Sequence, residues 1–269
     1  MELSAKLEAL RGLFRALERV AVAYSGGVDS TLLLAVAADT LGPQACRAVT
    51  VQSAFFPDGE AEAAAALCAS LCVEQIALTV DVLAVPGVED NPPERCYLCK
   101  RAILGAVCDA AAAAGCKAVV EGSNADDVRD YRPGARAVKD LGVRSPLLAA
   151  GLTKAEVRAL SRQFGLPTAD KPAMACLASR FPVGDRLTAE GLRRVAAAEA
   201  YLSGLGLTQK RVRVHGAAAR IELLPEEEPR LLARRGGAAA ALHALGFRYV
   251  ALDLDGFRSG SMNPEGTSP

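Results

Sequence analysis

Apolar positions at the start of the chain recur at helical intervals: Leu3, Leu7, Leu10, Phe14 and Leu17 stand among charged and polar residues and predict one amphipathic helix. Because charges run through the whole stretch, it reads as part of the fold and not as a signal peptide. Beyond it the period changes repeatedly. Short apolar runs at 20–24, 48–51, 75–80 and 118–121 predict strands, and the longer stretches 31–41, 60–71 and 96–114 predict the helices between them. Strand and helix taking turns is the pattern of a doubly wound α/β fold, a parallel sheet with helices on both faces, whose ligands bind at the carboxyl ends of the strands. Chemistry is therefore expected in the loops after Tyr24, Val51 and Glu121. The Pro-rich segment 85–94 is a candidate flap over that region.

Thr153-Lys154-Ala155-Glu156 has the form of a capping box opening a helix to about Phe164, with Gly165 as its stop and Pro167 beyond. Residues 169–185 show no clear period. From Leu187 the pattern changes to a helix to about Leu205, strands at 210–215 and 218–223, a helix from about Glu226 to Leu245 and a strand at 248–252. This αββαβ order predicts a smaller C-terminal α+β domain, and the alanine runs 63–66 and 110–114 are helix filler and not a repeat.

Composition narrows the function. Of 269 residues, 31 are Lys or Arg and 31 are Asp or Glu, so the net charge is zero and the basic excess of a nucleic-acid or anionic-membrane coat is missing. With 51% hydrophobic and 23% charged residues the chain is not disordered, and no apolar run approaches the roughly 18 residues a membrane span needs. A cytoplasmic setting is expected, where the eight cysteines stay reduced and divide among core filler, metal ligands and nucleophiles.

The strongest local signal is Ser25-Gly26-Gly27-Val28-Asp29-Ser30 between a strand and a helix. Adjacent glycines turn the backbone with its N–H groups outward, the hydroxyls of Ser25 and Ser30 add donors, and the helix start favours an anion, so the loop suits a phosphate. No lysine follows as in a Walker A loop, which points away from transfer of the terminal phosphoryl group. A second cluster, Gly122-Ser123-Asn124-Ala125-Asp126-Asp127 followed by Asp130-Tyr131-Arg132-Pro133-Gly134, can share a divalent cation, with Arg132 pairing a carboxylate or a phosphate. The first loop resembles the SGGxDS loop of the PP-loop ATP pyrophosphatases. That resemblance implies ATP held by its pyrophosphate end at Ser25, Gly26, Gly27, Asp29 and Ser30, with Gly122 and Asp126 alongside, Mg²⁺ at Asp29, and attack of a substrate oxygen on the α-phosphorus.

Cys96-Tyr97-Leu98-Cys99 opens a helix, and Cys176 lies far along the chain in Ala175-Cys176-Leu177-Ala178-Ser179-Arg180. A CxxC pair at a helix start suits redox exchange, zinc or one edge of an iron-sulfur cluster, whereas Cys46, Cys68, Cys72, Cys108 and Cys116 read as core filler, Cys68 and Cys72 sharing a helix face. These stretches, with Ser25 to Ser30, Asn91 to Lys100, Asp130 to Gly134, Arg211-Val212-Arg213-Val214-His215 and residues 246–260, resemble the LarE-type sulfur transferases of nickel-pincer nucleotide cofactor synthesis over nearly the whole chain. The resemblance implies a PP-loop ATP-binding domain at 1–184, a substrate-binding and oligomerisation domain at 185–260 and a flexible tail at 261–269. It implies a substrate, pyridinium-3,5-biscarboxylic acid mononucleotide, whose carboxylate ATP adenylates and whose AMP sulfur then displaces to leave a thiocarboxylate. The sulfur comes either from a sacrificed cysteine at position 176 or from a [4Fe-4S] cluster with one open iron, and the presence of Cys96 and Cys99 beside Cys176 fits the cluster.

Further expectations attach to the arginines. Arg180, four residues after Cys176, is expected to steady phosphate or developing charge, the alternative being a structural salt bridge. Arg211 and Arg213 alternate on one strand and with Arg258 can grip the substrate's phosphate; Glu199 and Glu222 are secondary candidates for a metal there, and His215 reads as a strand-end residue. The partners expected are ATP, Mg²⁺, the pyridinium mononucleotide, a sulfide source and further copies of the chain, with no nucleic acid and no membrane. A PP-loop tRNA thiolase is disfavoured by the zero net charge and the lack of further CxxC pairs; an ammonia-dependent ligase, or a module that senses ATP without chemistry, leaves the three cysteines unexplained.

Overall fold

Alternation along the first strand decides the layering. In β1 (Val20–Ala23), Val20 and Val22 enter one apolar cluster and Ala21 another, because successive strand side chains point to opposite faces. Both faces are buried, so both need helices. The computed structural model describes residues 2–56, 60–129, 133–172, 175–258 and 261–262. Before and after β1 come α1 (Leu3–Arg15), α2 (Val28–Leu41), β2 (Cys46–Gln52), α3 (Glu60–Ser70), β3 (Glu74–Thr79), α4 (Arg95–Ala113), β4 (Ala118–Val120), α5 (Gly134–Asp140), α6 (Pro146–Ala149) and α7 (Lys154–Gln163). One face of the sheet carries Leu10 and Phe14 of α1, Leu32 to Leu34 of α2 and Val157 and Leu160 of α7; the other carries Leu104, Val107 and Ala111 of α4. α2 is buried all round, which explains why its sequence shows almost no polar stripe.

The four strands are parallel in the order β3-β2-β1-β4. The chain builds outward from β1 to β3 and then returns to lay β4 on the other side of β1. That reversal opens a crevice beyond the carboxyl ends of β1 and β4, where such folds bind their ligands.

The C-terminal half comprises α8 (Ala189–Gly204), β5 (Lys210–His215), β6 (Ala218–Leu223), α9 (Glu228–Leu232), α10 (Arg235–Ala244) and β7 (Tyr249–Leu252), with β5 antiparallel and β7 parallel to the central β6. The helix expected over 226–245 is in fact two. The break falls after Leu232, where Arg234 leaves the helical region at φ −118° and ψ 16°, and α10 restarts at Arg235. Leu177, Ala178, Phe181 and Leu187 of the connecting segment pack with Leu192, Val195, Val212 and Ile221, and with Phe55, Val82 and Val88 of the N-terminal half, so one apolar cluster spans the seam. Residues 85–94 are not a flap standing off the surface. Val88 is fully buried and Asn91 is 1% exposed, clamped against that connecting segment. No helix among the described residues is long and apolar enough to cross a membrane.

Candidate active site

The loop after β1 turns at Gly26, whose φ of +70° lies in the region glycine enters without strain. Ser30 Oγ accepts from the Ser25 amide at 3.3 Å, lies 3.1 Å from Ser25 Oγ and donates to the Gly27 carbonyl at 3.2 Å, which closes the loop on itself. Gly27, the residue before α2, has no side chain to cap the helix, so the N-cap itself supplies no side-chain acceptor to the first-turn N–H groups. The helix begins at Val28, three residues earlier than its apolar pattern suggests, which puts Asp29 and Ser30 in that first turn.

The end of β4 closes on this loop. A β-carbon built on Gly122 would meet the Ser30 nitrogen at 3.0 Å and Asp29 Cβ at 3.1 Å. Asp29 itself is held by Asn124 Nδ2 at 3.1 Å and by an ion pair with Lys154, the first residue of α7. The capping box that begins this helix is present as expected, and Asp126 accepts from the Lys154 amide at 2.8 Å. Asp126 thus braces α7, while Asp127 faces the cavity described next. Glu121 is 7% exposed; its Oε1 accepts from Ser145 Oγ at 2.5 Å and the Ser123 amide at 3.1 Å, and its Oε2 from Lys100 Nζ at 3.2 Å. Burial works to raise the Glu121 pKa, but Lys100 and the two donors outweigh it and hold the carboxyl below its ordinary value. Lys100 passes this point because residue 134 is glycine: a β-carbon there would meet Lys100 Cδ at 3.0 Å.

A cavity of about 410 Å³ joins these parts, its walls including Ser25, Asp29 and Ser30 together with Cys96, Cys99 and Cys176. Cys99 is pushed up to about 12 by burial and then by the negative charge of Cys176 and Cys96 nearby. Burial also raises Cys176, against the pull of Arg95, the Ala178 amide and Arg180. Cys46 and Cys68 are buried in the core, and burial lifts both to about 11. Cys68 and Cys72 do not share a helix face, since α3 ends at Ser70 and Cys72 turns at φ +54°.

Among the described residues no three His, Cys, Asp or Glu side chains gather as ligands of a single metal ion. A cubane cluster makes a different demand, because its thiolates bind separate irons at separate corners. Three thiols facing one cavity, with no fourth cysteine among its walls, fit such a group in donor chemistry and in number.

The arginines are committed elsewhere. Arg180, 2% exposed, donates from Nε and Nη2 to both oxygens of Glu199 at 2.8 and 2.9 Å, and from Nη1 to the Ala175 and Cys176 carbonyls and Ser179 Oγ. All three of its nitrogens are engaged, so it shapes the Cys176 loop and Glu199 anchors it; the salt-bridge alternative is the arrangement observed. Glu199 also accepts from the Val212 amide at 2.9 Å. Arg213 lies against the fully buried Glu222 at 2.8 Å, and Glu222 also meets Arg220 at 3.3 Å and Ser261 Oγ at 2.7 Å. Both carboxylates proposed as metal ligands are thereby neutralised by arginine. Arg211 stacks on Phe257 at 5.3 Å, and burial, followed by the nearby Arg180, lowers its pKa to about 10 against the pull of Glu199 and Glu222. Arg258 pairs with Asp255 at the surface at 2.9 Å, and His215, also exposed, accepts from Arg220 at 3.1 Å. Asp130, Tyr131 and Arg132 lie outside the described residues. Motif reading gave no role to Lys100, Lys154 or Glu121 and placed Asn124 only within the acidic cluster; the capping box at 153–156 was the one signal for Lys154.

No family model matches the chain. It is 43% identical over 263 residues to an uncharacterised protein of Synechocystis sp., covering 97% of this chain and 98% of that one. It is 41% identical over 261 residues to pyridinium-3,5-bisthiocarboxylic acid mononucleotide synthase of Lactiplantibacillus plantarum, covering 97% of this chain and 95% of the relative. The chain belongs to the pyridinium-3,5-bisthiocarboxylic acid mononucleotide synthase family. It is also 24% identical over 242 residues to an uncharacterised protein of Methanocaldococcus jannaschii, covering 90% of this chain and 92% of that one. The four-stranded parallel sheet with a smaller mixed sheet is consistent with a LarE enzyme.

Proposed function

We propose that this LarE homologue adenylates a carboxylate of pyridinium-3,5-biscarboxylic acid mononucleotide with ATP and exchanges the activated oxygen for sulfur. The observation that carries the reading is that one cavity is lined both by the phosphate loop and by three cysteines. ATP enters with its β- and γ-phosphates toward Ser25, Gly26, Gly27 and Ser30. Asp29 shares the Mg²⁺, and Lys154, which pairs with Asp29, turns to the phosphates. A substrate carboxylate oxygen bonds to the α-phosphorus as the bond to pyrophosphate breaks. Lys100, in the wall of the same cavity, offsets the charge that gathers there. Sulfide then attacks the acyl carbon, AMP departs with the bonding pair, and a thiocarboxylate remains. Residues 1–184 hold ATP, and residues 185–260 take the mononucleotide, with Arg211 the candidate for its phosphate because Arg213 is closed on Glu222.

Cys96, Cys99 and Cys176 would hold a [4Fe-4S] cluster, which when bound supplies sulfide at its open iron. Pyrophosphate release that depends on the mononucleotide, together with a product carrying sulfur in place of oxygen, tests the reaction. Iron and acid-labile sulfide on anaerobically prepared protein test the sulfur source: about four of each per chain, lost in Cys96→Ala, Cys99→Ala and Cys176→Ala, is expected. Absence of iron after reconstitution overturns the cluster and leaves loss of sulfur from Cys176 as the route, to be read by mass spectrometry.

A further inference from the structure

We propose that Arg95 is the positioning residue of the sulfur end of the cavity, latching the Cys176 loop to the helix that carries Cys96 and Cys99 and presenting an N–H to the sulfur side. Its Nη1 donates to Asn91 Oδ1 at 2.7 Å and to the Ala178 carbonyl at 3.0 Å, and its Nη2 lies 3.3 Å from Cys96 Sγ. One guanidinium therefore holds both a thiol of the CxxC pair and the backbone two residues past the third cysteine. These cysteines are distant in the sequence, and the fork of Arg95 is a direct bridge between them.

The base of the latch is as specific as its tip. Asn91 is a non-glycine residue at φ +51°, a region such residues enter rarely, and it is 1% exposed. That turn aims Nδ2 at the Pro182 carbonyl at 2.6 Å, while the Asn91 carbonyl accepts from the Gly184 amide at 2.9 Å. The loop is thus held downstream of Cys176 at Ala178, Pro182 and Gly184 by residues of one short segment. Arginine suits the place because its planar fork makes diverging bonds at once and stays charged at any physiological pH. Arg180 cannot do the same work, being closed on Glu199. A donor aimed at sulfur, with a fixed positive charge, also favours the more reduced and more negative state of a thiolate-bound cluster. The donor role rests on the cluster reading above; the latch does not.

The test uses full-length Arg95→Gln and Arg95→Lys. In iron-free protein, hydrogen exchange of the amides at 177–184 is expected to quicken by at least about tenfold in both variants, with exchange in β1 to β4 unchanged. Unchanged protection of 177–184 overturns the latch, and Arg95→Lys serves if Arg95→Gln does not fold. In reconstituted protein the cluster's midpoint potential is expected to fall in Arg95→Gln, with Arg95→Lys between it and the wild type, a shift that loosened packing alone does not order by charge. Equal potentials in all three overturn the donor role, as does a wild type that takes up no iron, while the exchange measurement still decides the latch.

Discussion

Gly122 touches the start of the nucleotide helix: a β-carbon on it would stand 3.0 Å from the Ser30 amide nitrogen. The contact explains how the ends of β1 and β4, neighbours in the sheet, come together as one binding surface. It also makes the site sensitive to one methyl group.

Because the first atom met is backbone, Gly122→Ala must displace either the phosphate loop or the end of β4. We expect mononucleotide-dependent pyrophosphate release to fall at least about tenfold in kcat/KM, with a fold that still melts cooperatively. Wild-type kinetics in this variant would show that the contact is idle.

Lys154 is ion-paired with Asp29, and in the proposed reaction it turns to the phosphates. Replacing it in Lys154→Ala keeps the capping box of Thr153 and Glu156, so α7 survives. Pyrophosphate release is expected to drop about a hundredfold while the melting temperature moves little. A matching loss of stability would instead make Lys154 a structural cation.

Arg180 and Glu199 form the bidentate pair that fixes the Cys176 loop to α8. Their side chains are 3% and 13% exposed, so removing either partner strands the other's charge. Glu199→Gln or Arg180→Met should each cost about 3–5 kcal/mol, and the double variant less than the sum. Denaturant titration of the three proteins measures the coupling; additive losses would deny it.

Glu121 gives the fold a pH dependence. Its folded pKa lies below the ordinary 4.5, so its contribution to stability is complete above that value and is lost as pH falls through the lowered one. The difference in melting temperature between the wild type and Glu121→Gln should therefore shrink between about pH 5 and pH 3. A difference that stays constant would mean that the charge of Glu121 contributes nothing.

What the sequence disclosed and what it withheld divide along physical lines. Strands 210–215 and 218–223 and the capping box at 153–156 are written in local periodicity and local hydrogen bonding, and the structure has them at those positions. The fates of Arg180, Glu199, Arg213 and Glu222 depend on which side chains meet across elements, and alternation on β5 told only that Arg211 and Arg213 share a side. Lys100 ends a stretch of family resemblance, but no local pattern disclosed its role, since its place is made by Gly134 on another helix. The Pro-rich segment 85–94 looked like a flap because prolines break elements, but its buried Asn91 ties it down. The short helices α5 and α6 are too brief to show a period.

The central claim is that one cavity couples ATP-driven activation to sulfur delivery by distinct residues. Cys176→Ala tests it most directly, by following pyrophosphate release and the mass of the pyridinium product in one reaction with ATP, Mg²⁺, the biscarboxylic mononucleotide and sulfide. The account predicts that the wild type gives pyrophosphate and thiocarboxylate, and that Cys176→Ala keeps mononucleotide-dependent pyrophosphate release but makes no thiocarboxylate. A folded Cys176→Ala protein that loses pyrophosphate release entirely, or that still makes thiocarboxylate at the wild-type rate, would contradict it.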